Sequence, residues 1–161
     1  MSPDYVAILS ALDARGVEFI VVGGICAVLN GATVTTLDID VVHRRTPENV
    51  DRLLEALQDL DAHARGRKGP KLVPGRTHLM GEGHQLLITR HGPLDLLGSV
   101  GKGRTYESLL GSTFRMTLPD GLQARVLSLE ALIDLKVETN REKDRAMLPA
   151  LRRTLEERRR G

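Results

Sequence analysis

Apolar and polar positions along the chain follow two periods, and the switches between them mark out the elements. Ser2 and Pro3 suit the cap and first position of a helix in which Val6, Leu9 and Leu12 share one face until Gly16 ends it. "VEFIVVGG" is a continuous apolar run rich in β-branched residues, the pattern of a buried strand. After Gly23 and Gly24, "ICAVLN" predicts a short helix ended by Gly31, and "LDIDVVH" a second strand of mixed character. Thr46-Pro47-Glu48 opens an amphipathic helix through Leu53, Leu54, Leu57 and Leu60.

The stretch from Arg65 to Arg76 is rich in Gly and Pro and reads as an irregular, mobile segment. "THLM", "HQLLITR" and "LDLLG" read as three short strands broken by Gly81-Glu82-Gly83 and by Gly92-Pro93. A short helix from Tyr106 to Leu110 follows, then a hairpin of "FRMTL" and "LQARVL" around Pro119-Asp120-Gly121. From Ser128 the pattern is helical, with Leu129, Leu132, Ile133, Leu135 and Val137, and a second helix starts near Glu142. The expected class is α+β: a small mixed β-sheet with flanking helices and a helical C-terminal tail.

With 161 residues the chain is most simply one domain, 1–161, long enough to bury a core. Aromatic residues make up 2%, so Leu, Val, Ile and Ala must build that core. The absence of Trp, with Tyr5, Tyr106, Phe19 and Phe114 the only Tyr and Phe residues, argues against stacked aromatic platforms for nucleic-acid bases. Cys26 is the sole cysteine, so no internal disulfide forms and a reducing cytoplasm fits. No apolar run approaches a membrane span, and "MSPDYVAIL" lacks a signal-peptide pattern, so a soluble cytoplasmic protein without membrane partners is expected.

The net charge of +2 says little, but its distribution says more. Arg65, Arg67, Lys68, Lys71 and Arg76 fall in one segment with no acidic residue. The C-terminus, "LRRTLEERRRG", is also strongly basic. Both are equally compatible with merely solvated surfaces.

The chemistry is concentrated in Gly23 to Val41, "GGICAVLNGATVTTLDIDV". Alternation along a strand points Asp38 and Asp40 to one face, about 7 Å apart. Two carboxylates so placed repel and raise one pKa unless a cation lies between them, and oxygen ligands alone suit a hard ion such as Mg²⁺. Asp95 in "PLDLLG" is a third acid among apolar neighbours. A strand that ends in Gly-Gly and turns into a helix exposes N–H groups where phosphate binds. Together these features form the two halves of a nucleoside triphosphate site, metal and phosphate.

Other motifs fail. "GSVGKGR" from Gly98 to Arg104 lacks the four-residue spacer and the Ser or Thr after lysine of a phosphate loop, and reads as a loop that could touch substrate. His43, His63, His78, His84 and His91 show no zinc-ligand spacing with Cys26. No Gly-x-Ser-x-Gly or other nucleophile signature is present.

Gly23-Gly24, a spacer, Asp38-Ile39-Asp40-Val41 and a later Asp95 resemble the DNA polymerase β-like nucleotidyltransferase superfamily. "LDLLGSVGKGRTYESLL" and "VLSLEALIDLKVETNREKDRAMLPAL" are similar to later blocks of bacterial nucleotidyltransferases, a group that includes toxins of toxin–antitoxin and abortive-infection systems. The resemblance covers about residues 17 to 151. It implies a nucleotidyltransferase core over about 17–127, with C-terminal helices over about 128–160.

The resemblance also implies roles. Asp38 and Asp40 would hold two Mg²⁺ ions, with Mn²⁺ an alternative; Asp95 would hold the catalytic ion and help activate an acceptor hydroxyl. Gly23, Gly24 and Thr36 would contact the nucleotide, and Lys136 its triphosphate. Lys143 and Asp144, in "REKD", would position the helix or the base. Val34 stands where relatives often carry a basic residue ahead of Thr35 and Thr36.

Three functions follow. The first is an NTP-dependent toxin that modifies RNA at the 3′ end of tRNA and is restrained by a cognate antitoxin, with Arg65, Arg67, Lys68 and Lys71 as candidate RNA contacts. The second modifies an aminoglycoside or lincosamide antibiotic. The third is a silent nucleotide-binding partner, disfavoured by the presence of all three acids.

Overall fold

A computed structural model describes residues 3–161, so Ser2 lies outside the described residues. The first helix, α1 (Tyr5–Ala14), is capped by Asp4, whose Oδ1 accepts from the Ala7 N–H at 3.0 Å. β1 (Phe19–Val22) runs directly into α2 (Gly23–Leu29), and β2 (Ile39–His43) follows. α3 (Pro47–Asp59) carries the expected Thr46 cap and Pro47 start. Then come β3 (His63–Ala64), α4 (Arg76–Met80), β4 (His84–Thr89) and β5 (Gly92–Leu97). α5 (Tyr106–Leu109) precedes the hairpin of β6 (Thr113–Thr117) and β7 (Gln123–Leu127), and α6 (Leu129–Thr139) and α7 (Glu142–Arg160) close the chain.

The seven strands form one mixed sheet in the order β3-β4-β5-β2-β1-β7-β6. β2 lies antiparallel to β1 and parallel to β5, while β1 lies parallel to β7. The central strands are buried at Ile20, Val21, Val41, Val42, Leu94, Leu96 and Val126, as their uninterrupted apolar runs require. α1 supplies Ile8, Leu9 and Leu12 to the same core, and α3 supplies Val50, Leu53 and Leu57. The architecture is the expected α+β class.

Two local expectations are corrected. "THLM" is not a strand but lies in α4, whose cap is Gly75; there the backbone N–H donates to His78 Nδ1 at 3.2 Å. Only Leu79 of this segment is fully buried, and one helical turn buries a single apolar side chain without exposing a second. The seventh strand is instead His63–Ala64, two half-buried residues paired with Ile88 and Leu87. No two-residue strand shows a period in sequence. The first helix starts at Tyr5, with Asp4 as its cap, rather than at Pro3.

No helix among the described residues is long and apolar enough to cross a membrane. Cys26 is buried and its thiol is pushed up to about 12, by desolvation above all, so it is an inert core residue.

Candidate active site

The strand register brings the acids together. Asp40 lies opposite Val22 at the end of β1 on one side and opposite Asp95 of β5 on the other. Side chains at one level of neighbouring parallel strands share a face, so the Asp40 and Asp95 carboxyls project together. Asp38 enters just ahead of β2 rather than within it, more exposed than its partners. All three line one cleft of about 660 Å³.

Asp40 is pushed up to about 7, first by burial, then by its hydrogen bond to Asp95 and the charges of Asp95 and Asp38. Lys136 opposes the shift from α6. Its Nζ is directed by Asp144, donating to Oδ1 at 3.1 Å. Asp144 is fully buried yet is held well below the usual carboxylate range: burial alone would raise it, but Arg141, Thr139 and Lys136 all donate to it. The Arg141 N–H reaches Asp144 Oδ2 at 3.0 Å, and the chain turns from α6 into α7 at Asn140, whose φ is +49°. Asp144 thus joins two helices and fixes a lysine above the carboxylates.

The glycine pair has a packing reason. Gly23 has φ +73°, and a Cβ there would collide with the Asp40 carboxylate. At Gly24 a Cβ would lie 2.6 Å from Thr36 Cβ. The backbone at the start of α2 therefore approaches both β2 and the segment before it more closely than any side chain permits.

The remaining expected residues divide. Gly23, Lys136 and Lys143 line the cleft with the three acids. Thr36 packs on Gly24, donates to the Asp38 carbonyl at 3.3 Å, and lines a neighbouring apolar groove with Val34 and Leu37. The basic segment is also divided, because acids from outside it neutralise much of its charge. Lys71 pairs with Asp61 at 3.4 Å and Arg76 with Asp51 at 3.3 Å. Arg65 turns into the cleft toward Asp38 and Asp95. Arg67 and Lys68 are exposed and have no ion pair among the described residues.

Sequence reasoning did not single out His84, Lys102, Glu138 or Arg141, which also line the cleft. For Lys102 the signal lay in the loop "GSVGKGR": Ser99 through Lys102 form one wall, tied down where the Lys102 N–H and Arg104 donate to Glu138.

The donor set fits a hard divalent ion, since it offers three carboxylates and the crowding that lifts Asp40 is what such a cation relieves. Among the described residues, however, no three of His, Cys, Asp and Glu form a preformed metal cage. Arg65 stands between two of the acids.

Three solved structures share this architecture. The lincosamide antibiotic adenylyltransferase LnuA, bound to lincomycin, superposes with a TM-score of 0.61 at 16% identity, over 92% of this chain and 94% of that one. The antibiotic-resistance factor ANT(2″)-Ia gives 0.60 at 17% identity, over 94% and 82%. A proposed nucleotidyltransferase from Thermotoga maritima, TM1012, gives 0.58 at 18% identity, over 95% and 93%. The chain has a nucleotidyltransferase fold. No protein-family model and no curated protein sequence matches it. Within that fold, the carboxylate cleft lies at the centre of the sheet, where β1, β2 and β5 meet.

Proposed function

We propose that the chain acts as a single nucleotidyltransferase domain that moves a nucleoside monophosphate from an NTP to an acceptor hydroxyl and releases pyrophosphate. The observation that carries this reading is the Asp40–Asp95 register pair, with Asp38 beside it and the glycine-led turn of Gly23 against it. Asp38, Asp40 and Asp95 would hold Mg²⁺ or Mn²⁺. Bound there, a divalent ion polarises phosphoryl oxygens and offsets the charge on the attacking and leaving oxygens. Lys136, fixed by Asp144, and the cleft-lining Lys102, Arg141 and Lys143 would contact the triphosphate.

For the acceptor we propose an RNA end, the 3′ end of tRNA, with the protein a toxin restrained by an antitoxin. Support comes from Arg67 and Lys68, two exposed cations that follow Arg65 out of the cleft and have no ion pair among the described residues. A second reading takes a small hydroxylated molecule as acceptor. It is favoured by the cleft volume, which suits one small ligand beside a nucleotide, and by the likeness to LnuA and ANT(2″)-Ia.

Each labelled NTP should be incubated with the protein and Mg²⁺ in the presence of total RNA, tRNA or an antibiotic panel. Transfer of label to RNA supports the first reading, and transfer to an antibiotic the second. Binding of nucleotide without transfer to any acceptor would support the silent-partner reading.

A further inference from the structure

The carboxylate cleft already holds a cation of its own. Arg65 Nη1 donates to Asp95 Oδ1 at 2.9 Å, and its Nη2 lies 3.8 Å from Asp38 Oδ2. The same Nη1 donates to the Leu87 carbonyl at 2.9 Å, and the Arg65 backbone N–H donates to the Leu86 carbonyl at 2.9 Å. Both carbonyls belong to β4, which pairs Leu86 with Asp95. The guanidinium is therefore fastened to the strand beside the acids, and its side chain is 30% exposed, while Arg67 and Lys68 two and three residues on are exposed. Lys136, which also lines the cleft, is committed to Asp144.

We propose that Arg65 is a positioning residue of the carboxylate site, a resident counter-cation that orients Asp38 and Asp95 and weakens the binding of a divalent ion there. This rests on the reading of Asp38, Asp40 and Asp95 as cation ligands. Three carboxylates at one place need positive charge, and a guanidinium supplies one unit through a geometry that a carboxylate matches. An arriving divalent ion competes with that guanidinium for the same oxygens and is repelled by it. Both effects weaken metal binding, and both disappear when the charge is removed.

The test is a titration of the full chain with Mn²⁺, without nucleotide, read by the electron paramagnetic resonance signal of the free ion. Arg65→Gln should bind Mn²⁺ about tenfold more tightly than wild type or better. Arg65→Lys, which keeps the charge and loses the fork, should stay within about threefold of wild type. If Arg65→Gln does not fold, as judged by circular dichroism, Arg65→Met carries the same expectation. Wild-type binding that Asp40→Asn abolishes, combined with equal or weaker binding by Arg65→Gln, overturns this inference and leaves the proposed function standing. Failure of every form to bind Mn²⁺ overturns both.

Discussion

Lys136 and Asp144, eight residues apart on consecutive helices, form an ion pair of 3.1 Å with the carboxylate wholly out of solvent and the lysine nearly so. Such a pair is retained at a cost in desolvation, and its partners cannot be removed singly without stranding a charge. Asp144→Ala should therefore destabilise the protein by about 3–5 kcal/mol, measured by urea unfolding. Lys136→Met, which keeps volume and leaves Asp144 its bonds to Arg141 and Thr139, should cost clearly less. Equal losses from the two would show that the bonds from Arg141 and Thr139 do not help hold Asp144 in place.

The same carboxylate sets an acid limit. Its native pKa lies below the ordinary value of 3.8, so its contribution to stability is full above that value and is lost as pH falls through the native one. Asp40 has the opposite sign. Its native pKa of about 7 lies above 3.8, so ionising it makes the metal-free protein progressively less stable as pH rises from about 4 to 7. Asp40→Asn should thus be more stable than wild type at pH 8 without metal, by an amount on the order of a few kcal/mol in urea unfolding, and the gap should close toward pH 4. In the presence of Mg²⁺ and nucleotide it should lose transfer by at least about a hundredfold, as should Asp38→Asn and Asp95→Asn. Near wild-type turnover by any one of them removes that residue from the site.

Much of this site was legible because its pattern is local. Asp38, Asp40 and the glycine pair lie within eighteen residues, and alternation in a strand makes two acids in an apolar run conspicuous. Asp95 was legible for the same reason, but its place opposite Asp40 depends on strand register, which no local period encodes. Arg65 shows the limit most clearly. In sequence it belongs to a run of cations in a Gly- and Pro-rich stretch, and only the pairing of β3 with β4 turns it inward. Asp61 and Asp51, which neutralise Lys71 and Arg76, likewise come from outside the run. The misread "THLM" had too few residues to separate a strand from a helical turn.

Gly23 tests whether the close approach of α2 to Asp40 matters. Gly23→Ala imposes a side chain on a φ of +73° and displaces the Asp40 carboxylate. The backbone term alone is about 1–2 kcal/mol. The variant should lose about 2–4 kcal/mol in urea unfolding once the displaced carboxylate is included, together with most of its transfer activity. Gly66→Ala is the matched comparison: its φ is also positive, at +76°, but a Cβ there meets nothing within 4 Å. It should cost no more than the backbone term. Equal losses at the two sites would mean that the contact with Asp40 is unimportant.

The acceptor can be approached through Arg67 and Lys68, two exposed cations of the basic segment. Arg65 is engaged by Asp38 and Asp95, and Lys71 by Asp61, so neutralising the whole basic segment would confuse the cleft with its rim. Arg67→Ala with Lys68→Ala removes only the exposed pair. Each phosphate contact to a single strand releases counterions and contributes about −0.7 to the slope of log affinity against log salt. If both residues grip an RNA end, the double variant should flatten that slope by about 1.4 and weaken RNA binding at low salt most. Its affinity for NTP should be unchanged, because neither residue lines the cleft. Filter binding of a tRNA 3′-end fragment at several salt concentrations measures the slope, and a thermal shift with NTP and Mg²⁺ measures the second term. An unchanged slope, with RNA still bound, would place the RNA elsewhere. No measurable RNA affinity in either form would move the acceptor to the small-molecule class.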